Sequence, residues 1–106
     1  MTTFDKREAG FENKFAHDEE MQFKATARRN KLLGVWAAQK LGISGAAADA
    51  YAKDLVIADL AETGDEDVVR KLVADFAAEK VAISETDIRS AMVTLMATAV
   101  SQVQAG

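Results

Sequence analysis

The sequence predicts an all-α protein: a four-helix bundle preceded by a flexible, partly helical N-terminal arm. Three observations lead there. Proline, the strongest helix breaker, is absent, and alanine, the best helix former, is the commonest residue. Beyond residue 20, apolar residues recur at helical spacing in four stretches separated by short Gly, Ser and Asp turns. Before residue 20 the pattern changes to a narrow aromatic line on a highly charged segment. A chain of 106 residues has room for one core, so it divides into an arm over 1–19 and a bundle domain over 20–106.

The first bundle helix is expected over 21–41. Its stretch "LLGVWAAQKLG" is apolar on more than one side. Leu32, Val35 and Trp36 face one way and Leu33, Ala37 and Leu41 another, which suits a helix near the centre of a bundle. Gly42 supplies a left-handed cap and Ser44 a start signal. The second helix, about 45–62, is expected to bury Ala47, Ala48, Tyr51, Leu55 and Ala58. Gly64 ends that turn of the chain and Asp65 caps the third helix, about 66–81, where Asp65, Glu66 and Asp67 complement the helix dipole. Its apolar set is Val68, Val69, Leu72, Val73 and Phe76. Ser84 and Asp87 have capping-box spacing and open the fourth helix, about 85–104. There Ile88, Met92, Leu95, Met96, Ala99 and Val103 fall on one face.

The arm is the informative segment. Phe4, Phe11 and Phe15 fall within an arc of about 40° on a helix turning 100° per residue, a far narrower stripe than a core-packed helix shows. Extended further, the line meets Asp18 and Glu19, where the apolar character stops. In a plain disordered tail, three phenylalanines would invite aggregation without return. A narrow stripe that enters a groove on another protein removes both objections. Gly10 weakens the helix by about 1 kcal/mol relative to alanine, so the arm is expected to be partly helical when free and to complete its ordering on the partner.

Composition excludes several other functions. There is no cysteine, and the single histidine, His17, leaves no histidine cluster for a metal. No phosphate-binding glycine loop, His/Ser/Asp set or HExxH motif is present, so neither enzyme activity nor a cofactor is expected. No apolar run is long enough to cross a bilayer, and residues 1–20 carry no signal-peptide core, so the expected place is intracellular with no membrane insertion. Residues 1–40 hold eight Lys/Arg against six Asp/Glu, while 41–106 hold five against eleven, which argues against a nucleic-acid binder. The carboxylates of 18–20 and 65–67 read as a solvated face and a helix start, and the methionines as core. In "ARRNK" (27–31), Arg28, Arg29 and Lys31 are candidate contacts for an anion or a partner, with the exposed side of the first helix as the alternative. His17 lies beside Asp18, Glu19 and Glu20, which favour its charged form, and is a candidate pH-sensitive element or simply an exposed side chain.

The pieces "RE…FE.KFAHDEE" (7–20), "F.A.ARRNKLLG.WAA" (23–38) and "LG…A.AYAKD" (41–54) resemble the alphaproteobacterial ATPase inhibitor zeta-subunit family. The resemblance spans the chain and is strongest over 4–54. It implies a four-helix bundle whose N-terminal arm inhibits the F-type ATP synthase by entering a catalytic α/β interface near the γ rotor. The bundle then anchors on the outside of the catalytic head. Carried over, it makes Phe4, Arg7, Glu8, Phe11, Lys14, Phe15 and His17 the partner-binding residues. It further implies a cytoplasmic protein, peripheral to the inner membrane through the synthase and monomeric when free. The alternatives are a small nucleotide- or anion-sensing module using Arg28, Arg29 and Lys31, or a synthase-associated structural factor that does not inhibit.

Overall fold

The computed structural model describes residues 19–60 and 64–105. These form four helices: α1 (Glu19–Leu41), α2 (Gly45–Leu60), α3 (Glu66–Ala78) and α4 (Glu85–Ala105), with no strand among the described residues. The expected arm therefore lies outside the described residues, apart from its last residue, Glu19, which opens α1.

Helix α1 is the central element, packing along both α2 and α4. Glu19 and Glu20 in its first turn and Lys40 in its last complement the helix dipole, which carries the helix two residues earlier than its apolar pattern indicates. Leu33, Ala37 and Ala38 are fully buried, whereas Val35, expected on a packed side, is 38% exposed. The helix ends in a Schellman turn. Gly42 has φ +77°, the Ile43 amide donates to the Ala38 carbonyl at 2.8 Å, and the Gly42 amide to Gln39 at 3.2 Å.

Helix α2 returns antiparallel along α1, with Ala52 opposite Gly34. A Cβ at Gly34 would stand 2.5 Å from the Ala52 Cα, so this contact is backbone against backbone and requires glycine. The stripe that α2 buries is centred on Ala52 and Leu55, not on Ala47, which is exposed. In an alanine-rich helix the apolar pattern does not select one face; the Gly34 contact does.

Helix α3 buries Val68, Val69, Leu72 and Phe76, with Val73 39% exposed at the edge. It stops at Ala78, three residues short of the expected end, in a second Schellman turn. Lys80 sits at φ +56°, with Lys80 donating to the Ala77 carbonyl and Val81 to the Phe76 carbonyl at 2.8 Å. A lysine in this role is silent in the sequence, since glycine is the usual signal. The expected capping box of α4 is present: the Asp87 amide donates to Ser84 Oγ and the Ser84 amide to Asp87 Oδ2, both at 3.1 Å. One core joins all four helices through Leu33, Leu55, Leu72, Phe76, Ile88 and Met92, and the half-buried Trp36 meets Phe76 edge-on at 5.8 Å.

Candidate partner-binding surface

Among the residues singled out from sequence, Phe4, Arg7, Glu8, Phe11, Lys14, Phe15 and His17 lie outside the described residues. Arg28, Arg29 and Lys31 lie on α1, and the structure separates them. At 100° per residue, Arg28 and Lys31 are neighbours on one face, whereas Arg29 turns away. Arg28 is exposed and donates to Gln102 Oε1 at 3.1 Å, tying the beginning of α1 to the end of α4. Lys31 is exposed.

Arg29 is 4% exposed, so the expectation of an exposed ARRNK face is corrected at Arg29 and at Asn30, which is 1% exposed. The Arg29 guanidinium donates to both carboxylate oxygens of Asp65, at 2.8 and 3.2 Å, and through Nε and the same outer nitrogen to Asn30 Oδ1, at 3.1 and 2.8 Å. Asp65 correspondingly makes no side-chain cap on α3, a second correction. Its carboxylate is drawn across to α1, because a buried guanidinium needs a counter-charge more than a solvated helix start needs a cap. Asn30 in turn bonds Asp59 on α2. Burial raises the Asp59 carboxyl above the usual carboxylate range; Asn30 and Arg29 oppose the shift, and Asp65 and Asp67 add to it. Its Oδ1 is buried without a hydrogen bond. This cluster pins α1 to the end of α2 and the start of α3, and Arg29 and Asp65 also form the polar edge of a groove of about 490 Å³ shared with Arg89, Met92, Val93 and Met96.

A second polar group joins α2 to α3. The Tyr51 hydroxyl donates to Asp75 at 2.6 Å, and Lys71 pairs with Asp75 at 3.1 Å while standing 4.9 Å from the Tyr51 ring centre. Burial, then the bond to Asp75 and its charge, push the Tyr51 hydroxyl far above the usual phenol range. It therefore stays protonated and serves as a fixed donor.

A second open surface lies elsewhere. A groove of about 500 Å³ runs between the beginning of α1 and the end of α4. Its apolar wall is Phe23, Ala27, Val56 and Val103, with Phe23 59% exposed, and its rim carries Lys24, Arg28 and Lys31. Lys24, Ala27, Arg28 and Lys31 follow i, i+3, i+4, i+7 spacing, a signal present in the sequence that the three-residue basic cluster obscured. Val56 and Val103 carry no such signal, since only tertiary packing brings them there. Among the described residues, no group of three His, Cys, Asp or Glu side chains is placed to hold a metal, and no helix is long and apolar enough to cross a membrane.

Comparison with known proteins places this surface in context. The family described as ATPase inhibitor subunit zeta matches residues 1–102. A solved chain, described as "Solution NMR structure of the protein", is similar at 48% identity and a TM-score of 0.71, over 79% of this chain and 95% of that chain. No curated protein matches.

Proposed function

The chain belongs to the ATPase inhibitor subunit zeta family, and from that premise we propose that its arm, residues 1–19, blocks ATP hydrolysis by the F-type ATP synthase at a catalytic α/β interface beside γ. The observation that carries this reading is that the family match begins at residue 1 and so includes the aromatic seam. Phe4, Phe11 and Phe15 enter the interface as one line, with Arg7, Glu8, Lys14 and His17 flanking them. The bundle is the anchor: a rigid four-helix unit, held by its core and by the Arg29–Asp65 pair, that presents the arm from the first turn of α1. The free protein is a cytoplasmic monomer and reaches the membrane only through the synthase. The anion-sensing alternative is weakened by the burial of Arg29, which removes the middle cation from its trio.

The test is ATP hydrolysis by the cognate synthase, with the full chain or a chain lacking residues 1–19 added. Full chain should lower hydrolysis and the truncated chain should not. Binding of the full chain with hydrolysis unchanged would sink the inhibitory reading and favour the structural-factor alternative.

A further inference from the structure

The groove at the beginning of α1 has a candidate occupant within the same chain. We propose that in the free protein the N-terminal segment folds back and seats Phe11, with Phe15 beside it, in the groove walled by Phe23, Ala27, Val56 and Val103. This contact closes the arm against its own bundle.

Three observations support it. The groove joins an apolar wall to a cationic rim of Lys24, Arg28 and Lys31. Residues 1–18 set aromatic rings at Phe11 and Phe15 beside the carboxylates of Glu8 and Glu12. Over the whole segment Asp5, Glu8, Glu12 and Asp18 stand against Lys6, Arg7 and Lys14, so the charge match to the rim is local, around Phe11. Among the described residues, the rim cations hold exposed partners, Lys24 with Glu20 and Arg28 with Gln102, and such surface pairs rearrange at little cost.

The tether also has the right length. Ala27 lies eight residues into α1, about 12 Å from Glu19 at 1.5 Å per residue. The four residues from Glu19 back to Phe15 span at most about 14 Å, and the eight back to Phe11 about 28 Å. Phe15 therefore reaches only the near end of the groove, while Phe11 reaches all of it with residues to spare for a reversal. Attachment beside the groove gives the segment an effective concentration in the millimolar range, so even a weak contact is substantially populated. If the arm is the inhibitory element, the closed form lowers its apparent affinity for the synthase by the fraction of molecules that remain open. That consequence rests on the proposed function; the contact itself does not, and it is read without the synthase.

The chain has no cysteine, so a single Asn13→Cys carries a nitroxide label uniquely. Amide signals of Val56, Gln102 and Val103, distant in sequence from the label, report the contact by paramagnetic broadening in the full chain. They should broaden well beyond the level in a labelled Phe11→Ala/Phe15→Ala chain. Arg28→Glu/Lys31→Glu, at exposed positions, should remove the excess, and adding Glu8→Lys/Glu12→Lys to that chain should restore it. Broadening equal to that of the Phe11→Ala/Phe15→Ala chain would overturn the proposal. So would broadening that grows with protein concentration and transfers from a labelled chain to an isotope-labelled one, which assigns the groove to a second copy.

Discussion

Truncating Asp65 to alanine tests how the bundle is held at its least solvated polar point. Arg29 is 4% exposed and donates two charge-assisted hydrogen bonds to Asp65, whose own side chain is 44% exposed. Breaking a buried ion pair by removing one partner costs about 3–5 kcal/mol, because the other charge is left unpaired. Here the opening left by Asp65 faces solvent and Asn30 still accepts from Arg29, so water and Asn30 recover part of that loss. We expect Asp65→Ala to cost about 2–3 kcal/mol, at the level of two charge-assisted bonds partly replaced by water. For a domain of this size each kcal/mol is worth about 4–8 °C in Tm, so the midpoint should fall by about 10–20 °C. Glu66→Ala is the control. Glu66 is the next residue and pairs with the exposed Arg89, a surface contact worth less than about 1 kcal/mol. Thermal and urea unfolding followed by helical circular dichroism measure both. In a double-mutant cycle, Arg29→Met should rescue much of the Asp65→Ala loss, since no unpaired cation then remains. If Asp65→Ala destabilises no more than Glu66→Ala, Arg29 is adequately solvated without its partner and the pinning role assigned to this pair is wrong.

Gly34→Ala should destabilise by about 1–3 kcal/mol despite alanine's better helix propensity, because its Cβ would meet backbone atoms of Ala52; urea unfolding decides, and a gain in stability would mean α1 and α2 are not in close contact. Lys80→Gly should raise Tm by a few degrees, relieving a left-handed lysine that costs about 1–2 kcal/mol, less the entropy glycine adds to the unfolded chain. The Asp59 carboxyl is raised on folding, so the stability linked to its neutral form is fully present at acid pH and is lost as pH rises through the folded-state pKa. Asp59→Asn should therefore be more stable than the parent at neutral pH and lose that advantage in acid, as Tm against pH would reveal; a constant difference across pH contradicts the assignment. In the hydrolysis assay, Phe11→Ala or Phe15→Ala should weaken inhibition about 30-fold, from a central aromatic worth about 2 kcal/mol, whereas Gly10→Ala should strengthen it about fivefold by restoring helix propensity.

Much of this molecule is legible in its sequence. Helices need only local information, namely propensity, apolar spacing and caps, and the Ser84–Asp87 box and the Gly42 turn stand where those signals place them. The core of α3 is equally legible, because Val68, Val69, Leu72 and Phe76 recur at helical spacing and form one buried stripe. The seam of Phe4, Phe11 and Phe15 is likewise a one-dimensional pattern, and it lies outside the described residues. Tertiary structure decided what depends on a second element. Whether Arg29 binds a ligand or anchors the fold turned on Asp65, which lies 36 residues away and which local rules assign to a helix cap. Ala52 rather than Ala47 faces inward because Gly34 on another helix admits it. The groove exists because Val56 and Val103 arrive from α2 and α4 beside one face of α1. A sequence carries the alphabet of such contacts, but charge pairing and close packing are settled between segments, where the cost of burying an unpaired charge or a misplaced methyl group outweighs every local preference.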